Sequence, residues 1–100
     1  MPAHINFDDG IMRVLLEGDI DHHSARMMRE AIDNWAEKHH PHKMILDFSK
    51  VQFMDSSGIG LIMGRHKLMN EMGGVLTVEN PTSSVERMAK LAGMGRLGVI

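Results

Sequence analysis

The chain has 100 residues, 43% of them hydrophobic and 24% charged, which is the composition of one small globular domain rather than of a disordered or membrane protein. A formal net charge of −2 leaves no basic surface of the kind that binds nucleic acid. The absence of cysteine excludes a disulfide framework and thiolate metal sites. Because no signal peptide or long apolar run is present, we expect one cytoplasmic domain, residues 1–100, that binds neither nucleic acid nor membranes.

The N-terminal part of the chain predicts a β hairpin followed by a helix. Two short apolar-rich runs, residues 4–8 and 11–18, flank Asp9-Gly10, a dipeptide that tolerates the positive φ angles of a tight turn. Apolar residues then recur at helical spacing from Ser24 to Lys38, which predicts a helix with one face on the core. That face comprises Met28, Ala31, Ile32 and Trp35, with Asp21 as the expected N-cap and Pro41 marking the end.

The middle of the chain predicts a strand, a helix and a second strand. Residues 44–48 form a short apolar run suited to a buried strand, and residues 57–72 form a helix that Gly73-Gly74 ends. Residues 75–78 predict the next strand. Two strands joined through a helix are expected to be parallel, so the pattern predicts a fold of the α/β class.

The C-terminal part predicts a third helix and a short final strand. Ser83 and Glu86 fit a capping box at the start of this helix. Its apolar stripe comprises Val85, Met88, Ala89 and Ala92, and Gly93 is the expected residue after its end. Residues 96–100 are apolar enough to supply one more strand, although two glycines lie nearby.

The segment from Phe53 to Gly60, with the sequence FMDSSGIG, lies between a predicted buried strand and a predicted helix. The first backbone N–H groups of a helix lack intrahelical partners and carry a partial positive charge, so an anion is stabilised there. Asp55 or Ser56 can cap this helix, and a phosphate on a hydroxyl at this position would be tolerated. Capping and modification can coexist.

No catalytic motif accompanies these serines. A nucleophile elbow needs glycines two residues before and two residues after the serine, but around Ser56 only Gly58 fits, and Met54 occupies the other position. The chain contains no Gly-x4-Gly-Lys-Ser/Thr string for a phosphate-binding loop. We therefore expect neither nucleotide hydrolysis nor a cofactor.

The seven histidines do not predict a metal site. Adjacent histidines on a helix point about 100° apart, so the pairs lack the i, i+4 geometry of a helical zinc site. His39, His40 and His42 are expected in a solvated loop. His22 and His23 follow Asp21 at a helix start that could neighbour the serines.

The second predicted helix has two different faces. Its core stripe comprises Leu61, Ile62, Leu68, Met69 and Met72. The opposite face carries Gly60, Met63, Gly64, Lys67 and Glu71. Since each glycine costs about 1 kcal/mol relative to alanine inside a helix, either another element of this chain packs closely there, or a partner protein fills a smooth groove with Met63 as an exposed apolar contact. The spacing leaves both interpretations open.

Four segments, in this order and at these spacings, make the chain resemble a STAS domain of the anti-sigma factor antagonist type, similar to the sporulation antagonists. They are Gly18-Asp-Ile-Asp-His-His-Ser24, Phe53-Met-Asp-Ser-Ser-Gly-Ile-Gly60, Gly64-Arg-His-Lys67 and Gly73-Gly74. The resemblance covers nearly the whole chain. It implies a small single-domain STAS-like fold, with a mixed four- to five-stranded sheet and three or more packed helices. The family usually continues beyond the last helix with a strand and a further helix, whereas this sequence stops at Ile100.

The resemblance also implies a function. Members of this family are not enzymes: they bind an anti-sigma factor that is also a serine kinase, which frees a sigma factor. The kinase inactivates them by phosphorylating the serine directly after the aspartate, here Ser56, and a serine phosphatase reverses this. Asp21 falls on the family's aspartate in the loop facing the kinase. The other expected partner-binding residues are His22, His23, Asp55, Ser57, Gly58, Gly60, Met63, Gly64 and Lys67.

Two other interpretations stay open. A STAS-type module could sense a small molecule or nucleotide, or serve as a scaffold in a signalling complex. An enzyme with Ser56 as nucleophile lacks an identifiable base, oxyanion pair or triad partner. We expect regulation of transcription by partner switching, in a monomer or weak dimer. Met54 and Met63 flank the switch, where a flexible apolar side chain can serve recognition as readily as burial.

Overall fold

The computed structural model describes residues 2–100, which form a four-stranded sheet and three helices. The elements are β1 (Ala3–Asp8), β2 (Ile11–Glu17), α1 (His22–His39), β3 (Lys43–Lys50), α2 (Ser56–Glu71), β4 (Val75–Glu79) and α3 (Ser83–Leu91). The strands are ordered β1-β2-β3-β4, with the first pair antiparallel and the other two pairs parallel. The predicted α/β class and mixed sheet are confirmed, and no helix in residues 2–100 is long and apolar enough to cross a membrane.

The β1–β2 hairpin forms where the sequence predicts it. Asp9 and Gly10 have φ angles of 52° and 77°, the left-handed values that a two-residue turn requires. The turn also packs against the start of β3: the Gly10 carbonyl accepts a hydrogen bond of 2.9 Å from the His42 N–H. A Cβ atom on Gly10 would overlap the His42 ring, so both the backbone angle and the available space favour glycine here.

The core lies between one face of the sheet and the helices. Alternate residues of the two central strands are fully buried there, namely Met12, Val14 and Leu16 of β2 and Met44, Leu46 and Phe48 of β3. Helices α1 and α2 add Ala25, Met28, Ile32, Ala36, Leu61, Ile62 and Met69. Burying a large apolar side chain contributes about 1.5–3 kcal/mol. Methionine supplies much of this volume because its flexible thioether fills irregular gaps.

The C-terminal half of α1 differs from the prediction. Trp35 was expected in the core, but it is 39% exposed because the helix turns Ala36 inward instead. The Trp35 ring stacks on His39, with ring centroids 4.7 Å apart, and His39 stacks in turn on Phe7 at 5.0 Å. The prediction that His39 lies in a solvated loop is therefore wrong: it is the last residue of α1 and is half-buried between two aromatic rings.

The C-terminal part departs from the prediction at the start of α3 and in the last residues of the chain, whereas Gly93 follows the Ala92 cap of α3 as predicted. The N-cap is Thr82 rather than Ser83, because the Thr82 hydroxyl accepts a hydrogen bond from the N–H of Val85. Residues 96–100 do not form a strand, since turns follow α3. One bond reaches the sheet: the carbonyl of Val99 accepts from the N–H of Val78 at 2.8 Å.

Candidate functional site

Helices α1 and α2 begin side by side at one end of the sheet. The loops that precede them pair as a short parallel bridge, which places Asp21 beside Asp55 and Ser56 at the two helix starts. Three backbone hydrogen bonds join these loops: Gly18 N–H to the carbonyl of Lys50 (3.1 Å), Ile20 N–H to that of Phe53 (3.0 Å) and Asp55 N–H to that of Ile20 (3.0 Å).

Buried apolar side chains hold both loops against the core. Ile20 and Val51 are fully buried, and Met54 is 2% exposed. Of the two roles that the sequence left open for Met54, recognition and burial, the structure therefore supports burial. Gly58 is also buried and packs over Met54, whose side chain a Cβ atom on Gly58 would overlap. The first turn of α2 is thus held against the core, which limits how far it can shift.

The start of α1 is closed by a reciprocal cap. An Asp21 carboxylate oxygen accepts a hydrogen bond from the Ser24 N–H at 2.8 Å, and the Ser24 hydroxyl accepts one from the Asp21 N–H at 2.9 Å. The predicted N-cap is therefore confirmed. The hydrogen bonds from the Ser24 backbone and hydroxyl hold the pKa of Asp21 below its usual value. Asp21, His22 and His23 are all exposed, so this helix start presents a charged carboxylate to solvent.

The start of α2 is capped by Asp55. Its carboxylate accepts a hydrogen bond of 2.7 Å from the Ser57 N–H. Ser56 is the first residue of the helix and is exposed, whereas Ser57 is half-buried. Of the two candidate caps, the aspartate takes the role, so the Ser56 hydroxyl is not needed for capping.

The glycines farther along α2 face open space. A Cβ atom on Gly60 or on Gly64 would meet no heavy atom within 4 Å, so close packing inside this chain does not explain either residue. Lys67 is exposed on the same helix. Met63 is half-buried and packs partly against the core, so it is less exposed than expected, and its contact with a partner stays a prediction. The open part of this face is therefore smooth and flanked by a lysine.

The sequence interpretation missed a buried arginine between the two helices. Arg65 on α2 is 7% exposed. Its Nε lies 2.9 Å from a carboxylate oxygen of Asp33 on α1, and its Nη1 donates to the Leu61 carbonyl at 3.3 Å. Burial raises the pKa of Asp33 and lowers that of Arg65. The signal was its spacing: Arg65 lies four residues after Leu61 and four before Met69, in the core stripe.

A groove of about 500 Å³ separates the first turns of α1 and α2. It is lined on the α1 side by His22, Ala25, Arg26 and Arg29, and on the α2 side by Ser57, Gly60, Leu61 and Arg65. The groove is thus rich in cations and begins beside the candidate switch serine. No cluster of three or more histidine, aspartate or glutamate residues in residues 2–100 could hold a metal ion.

Known proteins resemble this chain in both sequence and fold. The model of the STAS domain family matches residues 3–98. The chain belongs to the STAS domain family. This STAS domain is 35% identical over 88 residues to the anti-sigma F factor antagonist of Paenibacillus polymyxa, an alignment that spans 88% of this chain and 75% of that relative.

Two solved structures resemble this STAS domain closely. The anti-sigma factor antagonist SpoIIAA in its unphosphorylated form matches with a TM-score of 0.84 and 26% identity, over 94% of this chain and 83% of that one. The Bacillus cell fate determinant SpoIIAA in the phosphorylated form matches with a TM-score of 0.77 and 25% identity, over 94% and 86%. The fold implied by the resemblance is confirmed.

The residues expected to form the site fall into three groups in this STAS domain. Six lie at the paired helix starts: Asp21, His22, His23, Asp55, Ser56 and Ser57. Gly60, Gly64 and Lys67 lie farther along α2 with open surroundings. Gly58 and Met63 differ from the rest because their packing is internal. The structure therefore brings most of the expected residues to one end of the molecule.

Proposed function

We propose that this chain is an anti-sigma factor antagonist that binds an anti-sigma factor with serine kinase activity, frees a sigma factor and loses binding when Ser56 is phosphorylated. The observation that carries the proposal is the exposure of Ser56 at the first position of α2, beside the start of α1. Asp55 caps the helix, so the Ser56 hydroxyl is not used for capping. The name of the Paenibacillus relative and the two phosphorylation states of SpoIIAA support it. A serine phosphatase would restore the active form.

A phosphate on Ser56 is compatible with the fold. Phosphorylation adds a charge of about −1.5 to −2 and three acceptor oxygens. At the first residue of α2 these oxygens lie near N–H groups that have no intrahelical acceptor and near the positive end of the helix dipole. The side chain points into solvent, so no core contact has to break.

The same phosphate would prevent docking. A partner that covers Ser56 and Asp21 would bring the new dianion and the existing carboxylate into one interface. A buried charge without a counter-charge costs several kcal/mol, and every 1.4 kcal/mol changes affinity tenfold. Because the penalty arises only in the complex, the switch needs no change of fold.

The docking surface extends along α2. Gly60 and Gly64 lack neighbours that explain them, although each costs about 1 kcal/mol relative to alanine. A partner backbone approaching this face would account for that cost, and Lys67 on the same helix offers a charged contact. We assign no catalysis to the chain: its serine is the acceptor in a reaction that the kinase performs.

The direct test is to label the protein with the anti-sigma factor kinase and ATP, and to map the phosphate by mass spectrometry. Ser56→Ala should abolish incorporation, while Ser57→Ala, one residue along the same turn, should still be labelled on Ser56. Label that persists in Ser56→Ala and maps to Ser57 would overturn the assignment of the switch serine.

A further inference from the structure

The groove between α1 and α2 has more positive charge than the chain itself neutralises. Three arginines line it. Arg65 pairs with Asp33 at 2.9 Å, and Arg26 lies 3.5 Å from Glu30 across an exposed surface. Arg29 forms no ion pair with any carboxylate in the described part of the chain. One guanidinium therefore remains without a counter-ion at the groove.

The ion pair of buried Arg65 with half-buried Asp33 does not remove this excess of positive charge. Burial raises the pKa of Asp33 and lowers that of Arg65; the nearby charge of Arg29 opposes the first shift and adds to the second. The single carboxylate of Asp33 thus faces two guanidinium groups, and only one of them contacts it. Because Arg29 is exposed, water solvates its charge in the free protein. The free-energy cost of leaving this arginine without a counter-ion therefore stays small until a partner covers the groove.

The groove adjoins the proposed docking surface. His22 follows Asp21 at the start of α1, and Ser57 follows Ser56 at the start of α2; both His22 and Ser57 line the groove. Gly60 lies at the same groove and leaves open space where a side chain would stand. A protein seated on Ser56 would therefore also cover the groove and remove water from Arg29.

We infer that the groove receives an aspartate or glutamate side chain of the anti-sigma factor, which pairs with Arg29 when the complex forms. This inference rests on the proposed function. It adds an attractive ion pair at Arg29 to the repulsive effect that a phosphate on Ser56 has on the complex. Covering an unpaired guanidinium is strongly unfavourable, so the partner must supply an anion there. A carboxylate suits the site because guanidinium and carboxylate groups match in planar, two-pronged geometry.

The test is isothermal titration calorimetry of the unphosphorylated protein with the anti-sigma factor kinase of the same organism, at low and high salt. Arg29→Ala should weaken binding by about tenfold and reduce the dependence of affinity on salt. Arg87→Ala, which removes another exposed helical arginine but on α3, should change neither. Thermal unfolding should confirm that both variants remain folded. A charge reversal, Arg29→Glu, should be rescued by lysine at the partnered acidic residue of the kinase.

The outcomes separate this inference from the proposed function. If the wild type binds and phosphorylation of Ser56 abolishes binding, but Arg29→Ala binds like the wild type, only the groove assignment is overturned. If the wild type does not bind the kinase at all, both are overturned. Inorganic phosphate is the probe for the competing explanation: shifts of the Ser57 and Gly60 amide signals that Arg29→Ala removes, with unchanged affinity for the kinase, would identify a small-anion site instead.

Discussion

Helices α1 and α2 both begin at an aspartate with a serine in the first turn, but they use that serine differently. In α1, Ser24 is fully committed, because its N–H and hydroxyl both bond to Asp21. In α2, Asp55 is satisfied by the Ser57 N–H, and Ser56 stays exposed. Both helices thus follow the same capping rule, but the capping serine of α1 is fully hydrogen-bonded, whereas the first serine of α2 keeps a free hydroxyl.

The largest expected effect comes from placing a charge on the free serine. Ser56→Asp should weaken binding of the anti-sigma factor by about a hundredfold, since a carboxylate without a counter-charge would enter the interface. Ser84→Asp, at an exposed serine near the start of α3, is the matched control and should bind normally. Calorimetry measures both, and equal affinities for Ser56→Asp and the wild type would contradict the charge mechanism.

The next effect tests the open face of α2. Gly64→Glu should leave the fold intact, because a Cβ atom at this position meets no heavy atom within 4 Å. It should weaken partner binding by about tenfold or more, because the new side chain obstructs the surface and adds a negative charge. Circular dichroism tests whether the variant is folded, and calorimetry measures its affinity for the partner. Unfolding of this variant would show that the glycine has a packing role after all.

Replacing two other glycines of α2 by alanine should change the stability of the protein in opposite directions. Gly58→Ala should destabilise the protein by about 1–3 kcal/mol, because the new methyl group overlaps the side chain of Met54. Gly60→Ala should stabilise it by up to about 1 kcal/mol, since the new side chain meets nothing. Urea denaturation gives both values, and a loss of stability in both variants would contradict this division.

The smallest effect concerns the cap of α1. Asp21→Ala should lower the stability of the protein, because the cap of α1 is lost, and should change the response of stability to acid. The folded pKa of Asp21 lies below its unfolded value, so its contribution is complete above about pH 4 and is lost as the pH falls through the folded pKa. The variant should therefore lose less stability than the wild type on acidification, as followed by urea denaturation at several pH values. Identical acid profiles would show that the cap does not contribute in this way.

The sequence predicts most of what is local. The Asp9-Gly10 turn and the cap at Asp21 depend on residues within three positions of each other, and both formed as expected. For α2 the sequence left Asp55 and Ser56 as candidate caps, and Asp55 takes the position. The parallel strands on either side of α2 also follow from the order of the elements.

Features set by packing between elements were not predictable in the same way. The sequence left the role of Met54 open between recognition and burial, and the pairing of its loop with Ile20 places it in the core. Arg65 occupies a core position that only the facing Asp33 on α1 makes tenable. Periodicity assigned Trp35 to the core, although the rotation of α1 exposes it and buries Ala36. Each of these depends on a partner that is distant in the sequence.

The central claim is that a phosphate on Ser56, the free serine at the start of α2, acts at an interface and not on the fold. The most direct measurement compares the unphosphorylated protein with protein phosphorylated stoichiometrically on Ser56, by titration against the anti-sigma factor and by thermal unfolding. We expect affinity to fall by about a hundredfold or more, with nearly unchanged circular dichroism and unfolding temperature. Equal affinity of the two forms would contradict the account, as would a loss of binding that accompanies unfolding.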